Sequence, residues 1–255
     1  MEAAIPALPP PVTVKMLIRD AVLDLVSALS TGIGLILLGA IVIGTTLAFS
    51  GRNPSEMGDM VVSPWGVAGL LLATQLPLLY FGLRRRRRNG EKQRPLMALF
   101  AGDTGSAIRK GVSAGFAMTV LSMLYTGALQ RLLGPNAVEG QLDFLENVLN
   151  NKPAVALLVL IVAGLAPMCE EIFFRGVIFG SARSAGLSSV GAVLSAVLFA
   201  TVHLSPILAP FYATFAIVMC WLYTRTGTLA APIAAHMTLN GVACVALLIA
   251  GGNRV

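Results

Sequence analysis

Two adjacent carboxylates and an arginine lie inside an apolar run long enough to cross a bilayer, and this stretch constrains the chain more than any other. It reads Ala166-Pro167-Met168-Cys169-Glu170-Glu171-Ile172-Phe173-Phe174-Arg175-Gly176, within an apolar segment covering 153–180. A charged residue at the centre of a membrane helix costs ~2.5–3.5 kcal/mol on insertion scales, so such residues face a protein interior or a water-filled cavity. Three of them in one span point to a functional site at that depth.

The rest of the chain agrees with a membrane setting. Hydrophobic residues make up 56% and charged residues only 12%, against roughly a quarter charged in soluble domains. Apolar segments at about 25–50, 65–83, 111–133, 153–180, 188–204, 207–223 and 228–250 predict an all-α fold, a polytopic transmembrane helical bundle of about seven spans. The first follows a Pro-rich stretch at 6–11 and the charged Asp20 and Asp24, so it reads as a retained span and not a signal peptide. Trp65 is placed as an interfacial anchor. Between the third and fourth spans, Glu139, Asp143 and Glu146 alternate at helical spacing with Leu142, Leu145, Val148 and Leu149. That pattern predicts a short amphipathic helix at the membrane surface over 134–152. The three cysteines, Cys169, Cys220 and Cys244, fall in apolar spans at no motif spacing and read as reduced packing residues.

Basic residues set the orientation. With the N-terminus in the cytoplasm, 14 of the 18 lysines and arginines fall on the cytoplasmic side, including the run at 84–88 with Lys92 and Arg94. The positive-inside rule favours that arrangement. The net charge of +6 is thereby explained by topology. A nucleic-acid partner is not expected, because no aromatic residues interleave with the arginine run.

Few polar residues remain inside the spans. Of the twelve acidic residues only Glu170 and Glu171 lie deep in one, and the chain's two histidines, His203 and His236, are both intramembrane. Asn240 follows His236 at i+4, and His203 follows Phe199 at i+4, so each pair shares a helix face. At ~1.5 Å per residue, Glu170, His203, His236 and Asn240 fall within one layer of the bilayer, to about a helical turn. Adjacent residues are ~100° apart around a helix, which turns Glu170 and Glu171 to different sides. Glu171 and Arg175 are i, i+4 partners that can pair, leaving Glu170 as the free carboxylate. Pro167 removes one helix hydrogen bond and can kink or widen the span beside it. Gly176 and Gly180 form a small-xxx-small pair suited to close helix approach.

Taken together, Glu170-Glu171-x-x-x-Arg175, Phe199-x-x-x-His203 and His236-x-x-x-Asn240 resemble the three motifs of the CAAX-protease and bacteriocin-processing (CPBP, or Abi) family of intramembrane endopeptidases. Residues 224–232, Thr-Arg-Thr-Gly-Thr-Leu-Ala-Ala-Pro, are similar to the family's lead-in to the last motif. The resemblance covers about 153–241. It implies a peptidase in which Glu170 and His203 activate water, while His236 and Asn240 polarise the scissile carbonyl and stabilise the oxyanion. Glu171, Arg175 and Phe199 are implied as supporting residues. The implied chemistry needs no cofactor. The rival reading is zinc held by Glu170, His203 and His236, the two-His, one-Glu set of catalytic zinc sites.

The expected organisation is an N-terminal cytoplasmic or interfacial segment at 1–27, transmembrane helices with a basic cytoplasmic loop at 28–150, and the catalytic-type helices at 151–255. The expected setting is a prokaryotic cytoplasmic membrane, with a peptide or membrane-anchored protein as substrate and the lipid bilayer as the other partner. Two further readings stay open on the sequence. One is a non-catalytic immunity or scaffold protein of the same fold. The other is a proton-coupled carrier, against which the lack of an inverted repeat counts.

Overall fold

The computed structural model describes residues 12–49, 63–88, 100, 102–138 and 155–252. Among them are seven helices and no strand: α1 (Val14–Phe49), α2 (Pro64–Arg88), α3 (Thr104–Leu133), α4 (Val155–Ser184), α5 (Ser188–Val202), α6 (Ala209–Thr226) and α7 (Ala230–Gly252). The fold is the expected all-α bundle. Five helices, α1 to α4 and α7, are long and apolar enough to cross a membrane, and the chain is an integral membrane protein. The predicted surface helix at 134–152 is described only over its first residues, where Pro135–Val138 forms one 3₁₀ turn; the rest lies outside the described residues.

Local chemistry explains several boundaries. The Asp103 carboxylate accepts a 3.0 Å bond from the Ser106 amide and caps α3 at its start. At the end of α6, Gly227 takes the left-handed conformation with φ 71° and returns its amide to the Tyr223 carbonyl. The fifth span is shorter than the apolar run suggested. Helix α5 has 15 residues and stops at Val202, a rise of about 22 Å against a hydrocarbon core of ~30 Å.

The turn at 203–208 therefore needs its backbone groups paired by protein, since irregular backbone at membrane depth survives only when it is buried or faces a cavity. The Leu208 amide bonds to Ser205, and the Tyr125 hydroxyl donates to the Ile207 carbonyl at 2.8 Å. Leu204, immediately after His203, is the one described non-glycine residue with positive φ, 50°. This left-handed conformation is strained for a branched side chain.

The tightest approach in the bundle is between α3 and α7. A Cβ at Gly111 would overlap the Ala231 carbonyl oxygen, and one at Gly115 would come 2.5 Å from the Ala235 oxygen and 2.6 Å from the Thr238 Cβ. Two glycines four residues apart let the backbones touch, as small residues do between membrane helices. Ala235 precedes His236, so this contact sets where α7 holds its histidine. The pair Gly176 and Gly180 plays a lesser part: a Cβ at Gly176 would meet the Leu229 side chain at 3.1 Å, and one at Gly180 the carbonyl of Arg175 in the same helix.

Helix α4 runs through the middle, packed against α2, α5 and α7. It is not uniform: Ile161–Leu165 and Ile172–Phe179 are wound as π-helix on either side of Ala166–Glu171. Pro167 lacks the amide that would bond four residues back, and the Ala166 amide reaches five residues back to Ile161. The widening expected beside Pro167 is present on both sides of the glutamates. Such π-turns recur at functional sites.

Candidate active site

Glu171 and Arg175 form the expected i, i+4 pair. Arg175 Nη1 donates to Glu171 Oε1 at 2.9 Å, and both side chains are fully buried. The guanidinium lies 4.5 Å from the Phe199 ring centroid, 5.8 Å from that of Phe215 and 6.0 Å from that of Phe174. Electron-rich ring faces attract a cation strongly where water is excluded. Among the described residues, Arg175 Nε and Nη2 and Glu171 Oε2 have no hydrogen-bond partner. The aromatic cage takes up part of that charge.

Glu171 does more than pair with Arg175. Its Oε1 also accepts from His236 Nδ1 at 3.0 Å. On the other edge of the same ring, His236 Nε2 lies 4.0 Å from Glu170 Oε2. The sequence reading turned the two glutamates to different sides of α4. The imidazole of α7 stands between them, so residues ~100° apart on the helix reach the two edges of one ring. Phe215 packs edge-on against it at 4.8 Å.

His203 follows the last residue of α5 and is partly buried. Its Nδ1–H donates to the Phe199 carbonyl at 2.7 Å, and its ring packs on Tyr212 at 4.1 Å between centroids. In both histidines Nδ1 is committed to a fixed acceptor, so Nε2 is the nitrogen left for chemistry. Phe199 thus serves twice, with its carbonyl holding His203 and its ring covering Arg175.

Asn240 is one turn beyond His236 on α7. Its Nδ2 donates to the Val162 carbonyl at 2.9 Å, inside the first π-wound stretch of α4. An amide nitrogen carries two hydrogens, so one anchors α7 to α4 and the second is unspent by that bond. Among the described residues, no group of three or more His, Cys, Asp and Glu side chains is arranged to hold a metal ion. The three cysteines are free and buried.

One participant was not foreseen. Gln75 of α2, ninety-five residues before Glu170, donates from Nε2 to Glu170 Oε1 at 3.1 Å. The signal was present as a lone amide in an otherwise apolar span, two residues before Pro77. An uncharged polar residue in a membrane helix ordinarily serves interhelical packing, so the amide alone does not mark a site.

A helical membrane bundle with a carboxylate–imidazole cluster in its interior defines the class, an integral membrane protein with ionisable side chains gathered inside the bundle. Comparison with known proteins gives two partial similarities. Residues 152–242 match the family described as type II CAAX prenyl endopeptidase, Rce1-like, so over this region the chain is similar to the CAAX-type membrane peptidases. A Bacillus subtilis (strain 168) protein named "Putative membrane peptidase YdiL" is 26% identical over 127 residues. That similarity covers 50% of this chain and 51% of the relative, so the match spans about half the length of each. No solved structure matches the chain.

Proposed function

We propose that the protein is an intramembrane endopeptidase that hydrolyses a peptide bond in a peptide or membrane-anchored protein, using a glutamate-activated water and no metal. The observation that carries this reading is the placement of His236 between two carboxylates, 3.0 Å from Glu171 and 4.0 Å from Glu170. The match of residues 152–242 to a family of membrane endopeptidases supports it.

In the proposed reaction Glu170, with His203, takes a proton from water. The water oxygen attacks the scissile carbonyl carbon, the C–N bond breaks, and the proton passes to the leaving amine. A positioned base of this kind contributes ~10²–10⁴-fold. His236 and the second N–H of Asn240 face the oxyanion. For His236 that role requires a proton on Nε2. With that proton the two carboxylates, the guanidinium and the imidazolium sum to zero charge, the arrangement a buried site tolerates best. Preorganised donors in a water-poor site are worth ~2.7–4 kcal/mol each in the transition state.

The distribution of basic residues supports an N-terminus in the cytoplasm. The test is comparative analysis of protein N- and C-termini in membranes from cells with and without the protein. It is followed by assay of the purified chain on two probes, a farnesylated peptide ending in a Cys-aliphatic-aliphatic-X box and the same peptide unmodified. New termini that vanish with the gene, and cleavage of at least one probe, are expected. Identical termini in both strains and no cleavage of either probe would favour a scaffold or immunity protein instead.

A further inference from the structure

Gln75 lies on α2, outside the family-matched region at 152–242. Three observations connect it with the chemistry. Its Nε2 donates to Glu170 Oε1 at 3.1 Å, while the other oxygen of that carboxylate is the one 4.0 Å from His236 Nε2. One oxygen is thus held from α2 and the other is left facing the imidazole. Next, Gln75 Oε1 is buried and has no hydrogen-bond partner among the described residues. A buried amide normally pairs both edges, and an orphaned one calls for an explanation. Turning the amide over would point its oxygen at the carboxylate, so the donor edge must face Glu170 and the acceptor edge is left over.

The third observation concerns the helix that carries it. Pro77 is inside α2 and supplies no amide to the Ala73 carbonyl. At that level α1 comes close, since a Cβ at Gly32 would be 2.9 Å from the same Ala73 oxygen. On its other side α2 packs along α4, with Gly82 beside Phe173. The segment holding Gln75 is therefore fixed by neighbours on two sides.

We propose that Gln75 is a positioning residue for the reaction: it fixes the rotamer of Glu170 so that Oε2 is the oxygen presented to the water and to His236. This rests on the reading of Glu170 as the base. The N-terminal helices, in this account, complete the active site and do not merely surround it.

The test uses the full chain in lipid nanodiscs, as wild type, Gln75→Met, Thr74→Val and Glu170→Gln. Met matches Gln in length and removes both polar edges. Thr74 is exposed and its hydroxyl donates to the Leu71 carbonyl of its own helix, so Thr74→Val controls for a change in α2 next to Gln75. Infrared difference spectra against Glu170→Gln isolate the Glu170 carboxyl band. In Gln75→Met that band should shift, and kcat on the cleaved probe should fall at least about tenfold with KM little changed, since a misplacement of ~1 Å can cost 10²-fold. Thr74→Val should leave both unchanged. An unmoved band in Gln75→Met, or a kcat equal to wild type, overturns the proposal. If wild type cleaves neither probe, the peptidase reading fails on those probes while the infrared band still decides the Gln75 contact.

Discussion

Glu171 and His236, sixty-five residues apart in the chain, meet through a 3.0 Å bond between Oε1 and Nδ1, and the same oxygen receives Arg175 Nη1 at 2.9 Å. One carboxylate oxygen therefore ties α4 to α7 and sets which edge of the imidazole is turned towards Glu170.

On the proposed mechanism that shared oxygen gives Glu171 both a structural and a functional part. Glu171→Ala should leave the Arg175 charge buried without its partner and lower stability by about 3–5 kcal/mol, the cost of breaking a buried pair from one side. The double variant Glu171→Leu/Arg175→Met should recover most of that loss, because well-packed apolar residues often replace a buried ion pair at little cost. It should remain inactive, with His236 no longer held. Thermal unfolding in detergent alongside the cleavage assay separates the two effects, and an active double variant would remove Glu171 from the account.

Gly115→Ala should damage activity from outside the cluster. The added methyl would meet the Ala235 carbonyl and the Thr238 side chain, and backbone cannot yield as a flexible side chain can. Prising α3 from α7 moves His236. The expected outcome is a lower melting temperature and at least a tenfold loss of cleavage, since a shift of ~1 Å at the chemistry can cost 10²-fold. Gly127→Ala, where a Cβ would meet nothing within 4 Å, is the matched control on the same helix and should behave as wild type.

For Asn240 the question is whether its second N–H reaches the oxyanion. Losing the bond to Val162 alone should cost about 0.5–1.5 kcal/mol of stability. Losing an oxyanion donor should lower kcat by ~10²–10³-fold. Asn240→Ala is expected to show both. A modest stability loss with kcat within threefold of wild type would confine Asn240 to holding the two helices together.

Removing metal should change nothing. Wild-type protein dialysed against EDTA, or assayed with 1,10-phenanthroline, is expected to keep its full rate on the cleaved probe. Loss of activity that returns with added zinc would support Glu170, His203 and His236 as ligands and replace the glutamate-activated route.

Much of this was legible in the sequence because charge in hydrocarbon is conspicuous. Glu170, Glu171, Arg175, His203 and His236 stand out in apolar spans, and depth along the helices puts Glu170, His203, His236 and Asn240 in one expected layer. What stayed hidden depended on geometry that helical spacing does not carry. The bridge from His236 to both glutamates needs a third helix at the right distance, and the π-winding either side of Pro167 has no periodic signature. The end of α5 at Val202, in place of Leu204, turns on a tight turn inside an apolar run with no glycine to mark it. Gly111 and Gly115 were readable as a small-xxx-small pair, yet nothing local tells such a pair from Gly176 and Gly180, whose environment is looser. Gln75 needed its partner to be seen at all.

Cleavage by Glu170→Ala tests the central claim most directly. Purified wild type and Glu170→Ala, shown to be equally folded by thermal unfolding in the same nanodiscs, are given the probe that wild type cleaves and the products are identified by mass spectrometry. The account predicts product from wild type and none above background from Glu170→Ala. Product formed by Glu170→Ala at the wild-type rate would contradict it.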